Sequence, residues 1–357
     1  MNDHRIGTQL ARLGTGDVLA VGDDLLCGIE NRETDTAELW EPASRAWRMV
    51  APLPAQRNGI ILVTTADGDA LVTGGANSDY VAKSSTVVFD DRTREWSTSG
   101  LLNTARMAFA AAALPDGRVL VAGGLHIGFS QEGGALSSAE IWDPDTGTWA
   151  EIDEMSSPRV QPVAVTLSDG RVLVAGGVAG WGGDDPLVSA EVYDPGNHRW
   201  SPAGVLSAPR DGLAIIALPD GGALAIGSRR AVTEDAEGEA VDPPRPTMTA
   251  DRFDPSTGEW AANGGFDAAG RRPAMAMLAD GRVLAVAGAN TAIYDPAART
   301  WTGSVPIPDH RNDATAVLLE DGSVLVAGGW WRWVPDTPGC PTPIPDTWRF
   351  VPASAPD

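Results

Sequence analysis

Residues 106–124 read RMAFAAAALPDGRVLVAGG, and residues 159–177 read RVQPVAVTLSDGRVLVAGG. Each stretch is two short apolar runs joined by Asp-Gly, which marks a tight hairpin whose turn needs positive φ. A second hairpin follows each: SAEIWDPDTGTW at 138–149 and SAEVYDPGNHRW at 189–200, with Asp-Pro opening the turn. Four short strands in a unit of roughly fifty residues cannot bury both of their faces, so copies must stack on one another.

The copies extend along the whole chain. Their leading arginines are Arg5, Arg57, Arg106, Arg159, Arg210, Arg271 and Arg311. Their turn glycines are Gly16, Gly68, Gly117, Gly170, Gly221, Gly281 and Gly322. Tryptophans close the first six units at Trp47, Trp96, Trp149, Trp200, Trp260 and Trp301. The seventh unit reaches TWRFVP (347–352) without a closing tryptophan. Long runs of Val, Ala and Leu mark strands covered on both faces, and no segment carries a sustained helical period with caps. The expectation is an all-β protein, one domain over residues 1–357. Seven antiparallel blades form a ring, with four strands in each and either four or three in the last.

An arginine before the first strand, Gly-Gly after the second and a spaced aromatic/Trp pair in the last two resemble the kelch repeat family over about residues 5–352. The resemblance implies a kelch-type seven-bladed β-propeller. It leaves activity open, because propellers of this family include sugar oxidases, epimerases and adaptors that bind peptides.

Composition narrows the partners. A net charge of −22 argues against nucleic acid and anionic membranes, which call for a basic footprint. No apolar stretch is long enough to span a bilayer, and the first residues lack the apolar core of a signal peptide. A cytoplasmic monomer is expected. MNDH is too short to lend blade seven an outer strand. Cys27 and Cys340 follow strand B of the first and last blades, which a closed ring makes neighbours. They are a candidate disulfide that would constrain a very long loop, with two free thiols as the alternative in a reducing compartment.

Strands alternate in direction, so A–B and C–D turns share one face while B–C and D–A loops share the other. The first face is uniform and reads as structural. The second varies, which is where function is usually placed. The repeat arginines ring the channel mouth there. They have two readings: fixing blade register through carbonyls, or, for a subset of Arg57, Arg106, Arg159, Arg210 and Arg311, binding an anionic or carbonyl ligand. Nine tryptophans sit at strand C or D positions and read as packing. Trp181, Trp330, Trp331 and Trp333 are surplus, all in B–C loops, and serve either as ligand contacts or as a plug. Blade five carries a long acidic insertion (228–247) and blade seven a proline-rich one (335–346), which would wall a cleft beside the short blade-six loop.

Acid–base candidates are few. Asp309-His310 precedes the seventh arginine where units two to five carry Ala-Gln, Thr-Ala, Ser-Pro and Ala-Pro. His310, with Asp309 beside it, is therefore a candidate general acid or base, and His126 lies on the same face. His198 falls in a C–D turn on the opposite face and is set aside. The pairs Asp23-Asp24 and Asp184-Asp185 read as solvated loop carboxylates. A copper-radical oxidase would need a Cys–Tyr crosslink, a second Tyr and two His, yet Tyr193 and Tyr294 occupy strand C positions and only Tyr80 faces a loop. No phosphate-binding loop, dinucleotide fingerprint, zinc cluster or nucleophile elbow is present, and neither a cofactor nor a metal is expected. The function expected from these residues is a small-molecule-binding propeller, with cofactor-independent isomerase, lyase or cyclase-like chemistry at the channel mouth. The alternatives are a protein- or peptide-binding scaffold on the same face, or a non-catalytic carbohydrate or metabolite binder.

Overall fold

Each expected hairpin forms in the computed structural model. It describes residues 1–2, 7–22, 35–77, 79–127, 133–180, 186–229, 248–268, 270, 272–303, 306–333, 341–343 and 346–352. Blade three shows the pattern: strand A is Ala110–Ala113, B is Val119–Ala122, C is Ala139–Asp143 and D is Thr148–Ile152, paired antiparallel in that order. Blades one, two, four, five and six repeat it, starting at strands Gln9–Arg12, Ile61–Thr64, Val163–Thr166, Arg210–Ala217 and Ala274–Met277. Blade seven is a three-stranded sheet of Thr315–Leu318, Val324–Ala327 and Trp348–Phe350. The protein is an all-β, seven-bladed propeller with a three-stranded last blade.

The A strands touch one another in sequence around the channel, and Thr315–Leu318 of blade seven meets Gln9–Arg12 of blade one. Closure rests on side chains as well. The Thr315 hydroxyl donates to the Thr8 carbonyl, Arg12 pairs with Glu320 at 2.7 Å, and the Trp47 indole donates to Thr347 Oγ1 at 2.8 Å.

Strand B is covered on both sides because blades stack face to face. Val119, Leu120, Val121 and Ala122 have no exposed surface, nor have Val172 to Ala175. The core is therefore a ring of inter-blade seams. One seam packs Leu120, Ala122 and Ile141 of blade three on Val172, Val174 and Tyr193 of blade four. Each such Leu or Val contributes about 1.5–3 kcal/mol relative to its exposed state.

Strand D adds an aromatic rung. The strand C aromatic and the strand D tryptophan stack in Phe89–Trp96, Tyr193–Trp200, Phe253–Trp260 and Tyr294–Trp301, with ring centroids 5.0, 5.2, 5.2 and 5.1 Å apart. The same tryptophans tie blade to blade. Trp96, Trp200, Trp260 and Trp301 donate their indole N–H to the Ala51, Asp153, Ala203 and Asn263 carbonyls at the end of the previous blade's strand D.

Candidate functional site on the B–C loop face

The two faces differ in how tightly the repeat constrains them. Every A–B turn runs five residues, from Leu13–Asp17 to Leu319–Ser323. In blades three, four and six an Asp-Gly-Arg clamp closes it: Arg118, Arg171 and Arg282 each donate Nε to the aspartate two residues before, at 2.8 Å. These contacts hold the Asp116 and Asp280 carboxyls below the usual range. The B–C connections range from the two residues Gly288–Ala289 in blade six to the twenty residues 328–347 in blade seven, and the eighteen of blade five, 230–247, lie outside the described residues.

Two B–C connections grow hairpins of their own. In blade three Leu125–Ile127 pairs with Gly133–Ala135, and in blade seven Trp330–Trp333 pairs with Pro341–Pro343. The WWRW run is therefore a strand, not a loop. Trp330 is 6% exposed, its backbone bridges Asn312, and its indole donates to Asp313 Oδ2 at 2.9 Å. The Asp313 backbone is left-handed, φ +54°, as are Ala108 and Gln161 at the same point of their units, φ +52° and +54°.

The described repeat arginines, Arg57, Arg106, Arg159, Arg210 and Arg311, lie inside the blades. Arg106 and Arg159 have no exposed surface. Arg106 Nη1 donates to the Gly123 and Ser138 carbonyls (2.8 and 3.0 Å), and Nη2 donates to Glu140 Oε1 at 2.8 Å. Arg159 does the same with Gly176, Ser189 and Glu191, and Arg210 pairs with Asp251 at 2.6 Å. Their Nη donors go to the carbonyl and carboxylate ends of strands B and C, while Arg159 Nε is buried without a partner.

Arg57 and Arg311 break the pattern because strand C has no acid to offer them. Glu38, Glu140, Glu191 and Asp251 occupy the position that Val87, Ala292 and Trp348 fill in blades two, six and seven. Arg57 is 2% exposed and meets only Ser85, through its carbonyl and hydroxyl at 2.8 and 2.9 Å, and a long contact to the Ala55 carbonyl. Burial without an acid lowers its guanidinium to about 10. Arg57→Met is therefore expected to move the urea midpoint by less than about 1 kcal/mol, because it removes an unpaired buried cation. A loss of several kcal/mol would show that the Ser85 bonds outweigh that relief.

Arg311, 3% exposed, donates Nη1 to the Gly328 and Asp346 carbonyls and has Asp309 3.7 Å from Nη2. Beside it His310 is half-buried, and burial pulls its imidazole below the usual value, which favours its neutral form. Asp309, His310 and Arg311 thus stand together at the entry to blade seven, with Asp309 half-exposed. His126 is spatially separate, in the blade-three hairpin, where Nδ1 sits 2.8 Å from the Ala105 carbonyl. Arg5, Arg271, Trp181, Cys27, Cys340, Asp23-Asp24 and Asp184-Asp185 lie outside the described residues, as do the side chains of Trp331 and Trp333.

Sequence reading missed the four strand C acids, although AELWE, AEIWD, AEVYD and ADRFD repeat them in plain view. It also missed Asn103 and Asn2, which donate backbone and side-chain N–H to Glu140 and Glu38 in matching fashion. Among the described residues no group of three or more His, Cys, Asp or Glu could hold a metal ion. Tyr193 and Tyr294 are fully buried, and Tyr80 is 45% exposed. No helix among them is long and apolar enough to cross a membrane.

Comparison with known proteins agrees with this architecture. A family model described as the Kelch motif matches residues 106–156 and 159–204. The chain is 29% identical to Kelch-like protein 35 of Mus musculus over 52% of its own length and 29% of that protein's. It is 34% identical to an F-box/kelch-repeat protein of Arabidopsis thaliana over 35% of its length and 33% of the relative's. Beta-scruin of Limulus polyphemus is 27% identical over 52% of this chain and 20% of that one. In each case the match spans well under half of the relative. Among solved structures, a fungal alcohol oxidase of the AA5 family in complex with copper superimposes with a TM-score of 0.69 at 17% identity, covering 97% of this chain and 74% of that one. At that identity the likeness is one of fold.

Proposed function

Since the chain belongs to the kelch-repeat family, we propose that it is a binding scaffold that takes a protein partner on its B–C loop face. The observation that carries this reading is the contrast between the faces. Five-residue turns repeat on one side, while the other bears two added hairpins at Leu125–Ala135 and Trp330–Pro343. Variable loops on a rigid frame are where recognition is placed, and channel-mouth arginines committed within their blades leave the hairpins as the distinctive surface.

The test is crosslinking enrichment of partners from lysate with three proteins. Replacing residues 331–343 by a Gly-Gly linker is expected to remove the partners recovered by the wild type, whereas Asp67→Lys, in an A–B turn, retains them. Sensitivity to Asp67→Lys alone would place recognition on the opposite face.

One observation favours a second reading, a small-molecule site with acid–base chemistry. His310 is half-buried beside Asp309 and Arg311, and burial lowers its pKa and so favours the neutral imidazole that a general base uses. A thermal-shift screen of small carboxylates and sugars, repeated on His310→Ala, separates the two: ligands that stabilise the wild type and not the variant support this reading.

A further inference from the structure

The seam between blades three and four departs from its neighbours at the outer rim. In blades two, four and five the C–D pair carries a β-bulge, and a glycine stands four residues after the tryptophan: Gly100, Gly204 and Gly264. Two of these lie close against the next blade's C–D turn. A Cβ on Gly100 would sit 2.4 Å from the Gly147 carbonyl oxygen, and one on Gly204 would sit 2.8 Å from that of Gly258. Blade three has no bulge, and Asp153 holds the glycine's place. A side chain there keeps strand D off the following turn, where His198 stands opposite, and a cavity of about 510 Å³ opens between the two blades.

Ile141, Ala150 and Ile152 give the cavity an apolar wall. Most of its polar groups are already engaged. Arg118 pairs with Asp116 at 2.7 Å, Asp143 accepts from Asp145 N and Thr146 N in its own turn, and His198 Nδ1 lies 3.1 Å from the Tyr193 hydroxyl. Asp153 differs: its carbonyl accepts the Trp200 indole N–H, while its carboxylate has no hydrogen bond or ion pair among the described residues. Burial raises the pKa of the Tyr193 hydroxyl and the Asp153 charge adds to that rise, which puts the carboxylate on the blade-four side of the seam.

The repeat itself shows what such a seam holds. Arg45, Arg94 and Arg299 occupy the turn position of His198, all in left-handed backbone. Arg94 reaches back across the seam of blades one and two to Asp17, at 2.7 Å. That seam also lacks a bulge, with Ala51 at the glycine position. His198 is too short for the same reach and is turned to Tyr193.

We propose that this cavity binds a guanidinium on a short aliphatic stem, with the head paired to Asp153 and the stem laid along Ile141 and Ile152. A guanidinium meets a carboxylate through two parallel N–H donors, and the volume is that of a small-molecule site. The site lies on the turn side of the rim and is independent of the loop-face reading.

The probe is butylguanidine, titrated into the 15N-labelled protein. It is expected to shift the Trp200 indole N–H, which is bonded to the Asp153 carbonyl, and its neutral isostere butylurea is expected to leave that signal unmoved. Asp153→Asn is expected to weaken binding about tenfold, the loss of one charge-assisted pair. Asp67→Asn, an exposed acid in blade two, retains it. His198→Arg rebuilds the repeat's own side chain and is expected to abolish binding. A Gly-Arg-Gly peptide run in parallel separates the sources: tighter binding of the peptide marks an arginine of a partner, and tighter binding of butylguanidine marks a free ligand. An unmoved Trp200 indole, undiminished binding to Asp153→Asn, an equal loss in Asp67→Asn, or binding of butylurea would overturn the proposal.

Discussion

Glu140→Ala is expected to cost about 3–5 kcal/mol of stability, the cost of leaving a buried charge without its counter-ion. Glu140 and Arg106 have no exposed surface and meet at 2.8 Å. Burial already pulls the Arg106 guanidinium down, and Glu140 is the main group that offsets it. The carboxylate also accepts from Asn103 N, Asn103 Nδ2 and Thr104 N at 2.7, 3.0 and 3.0 Å, so alanine strands several donors at once. Glu140→Gln keeps an acceptor and loses the charge, and is expected to fall between alanine and wild type. The comparison that isolates burial is Glu41→Ala: Glu41 pairs with Arg48 at 2.9 Å on the surface, and such pairs are worth about 0–1 kcal/mol. Urea midpoints of the three variants check the order. If Glu140→Ala matched Glu41→Ala, the buried pair would not be holding the blade.

This pair also marks how far the sequence could be read. Repeat spacing located all seven units, the strand C and D aromatics and the three-stranded last blade, because those features obey local rules of hairpin and period. The arginines were legible as positions but kept two roles, since their partners come from strand C, 32 to 41 residues on, and from the carbonyls that end strand B. Aligning the strand C acid with the arginine supplies the partner that the sequence reading lacked. Its absence at Val87, Ala292 and Trp348 is just as readable.

The loop face was less legible for a physical reason. A segment outside the repeat has no copies to constrain it, and Pro341–Pro343 does not look like a strand because proline cannot donate to a ladder. It pairs all the same, through Trp330↔Pro343 and Trp333↔Pro341 at an irregular edge. That pairing makes a strand of WWRW, and the Asp313 bond buries Trp330. His310 was singled out as a departure from its repeat, and it does sit with Asp309 and Arg311. His126 was grouped with it only by face, and faces are too wide to bring two side chains together.

The second large effect concerns the glycine pair that ends strand B. Gly123→Ala is expected to destabilise by at least about 2 kcal/mol, from two sources that add. The backbone there is left-handed, φ +69°, where a Cβ costs roughly 1–2 kcal/mol. A Cβ would also sit 2.6 Å from the Arg159 carbonyl and 3.3 Å from Met155 Cε, so blade four must retreat from blade three. The retreat reaches further than the clash, because the Gly124 N–H donates to that same Arg159 carbonyl at 2.7 Å and Arg159 anchors the next ion pair. Gly134→Ala is the matched control: nothing lies within 4 Å of its added Cβ, and its backbone is not left-handed. It is expected to stay within about 0.5 kcal/mol of wild type. Thermal midpoints decide the matter. Should Gly123→Ala melt with Gly134→Ala, the seams between blades would be compliant, and Gly-Gly would serve only to turn the chain. A wide gap between them shows that the first glycine is where one blade is seated on the next.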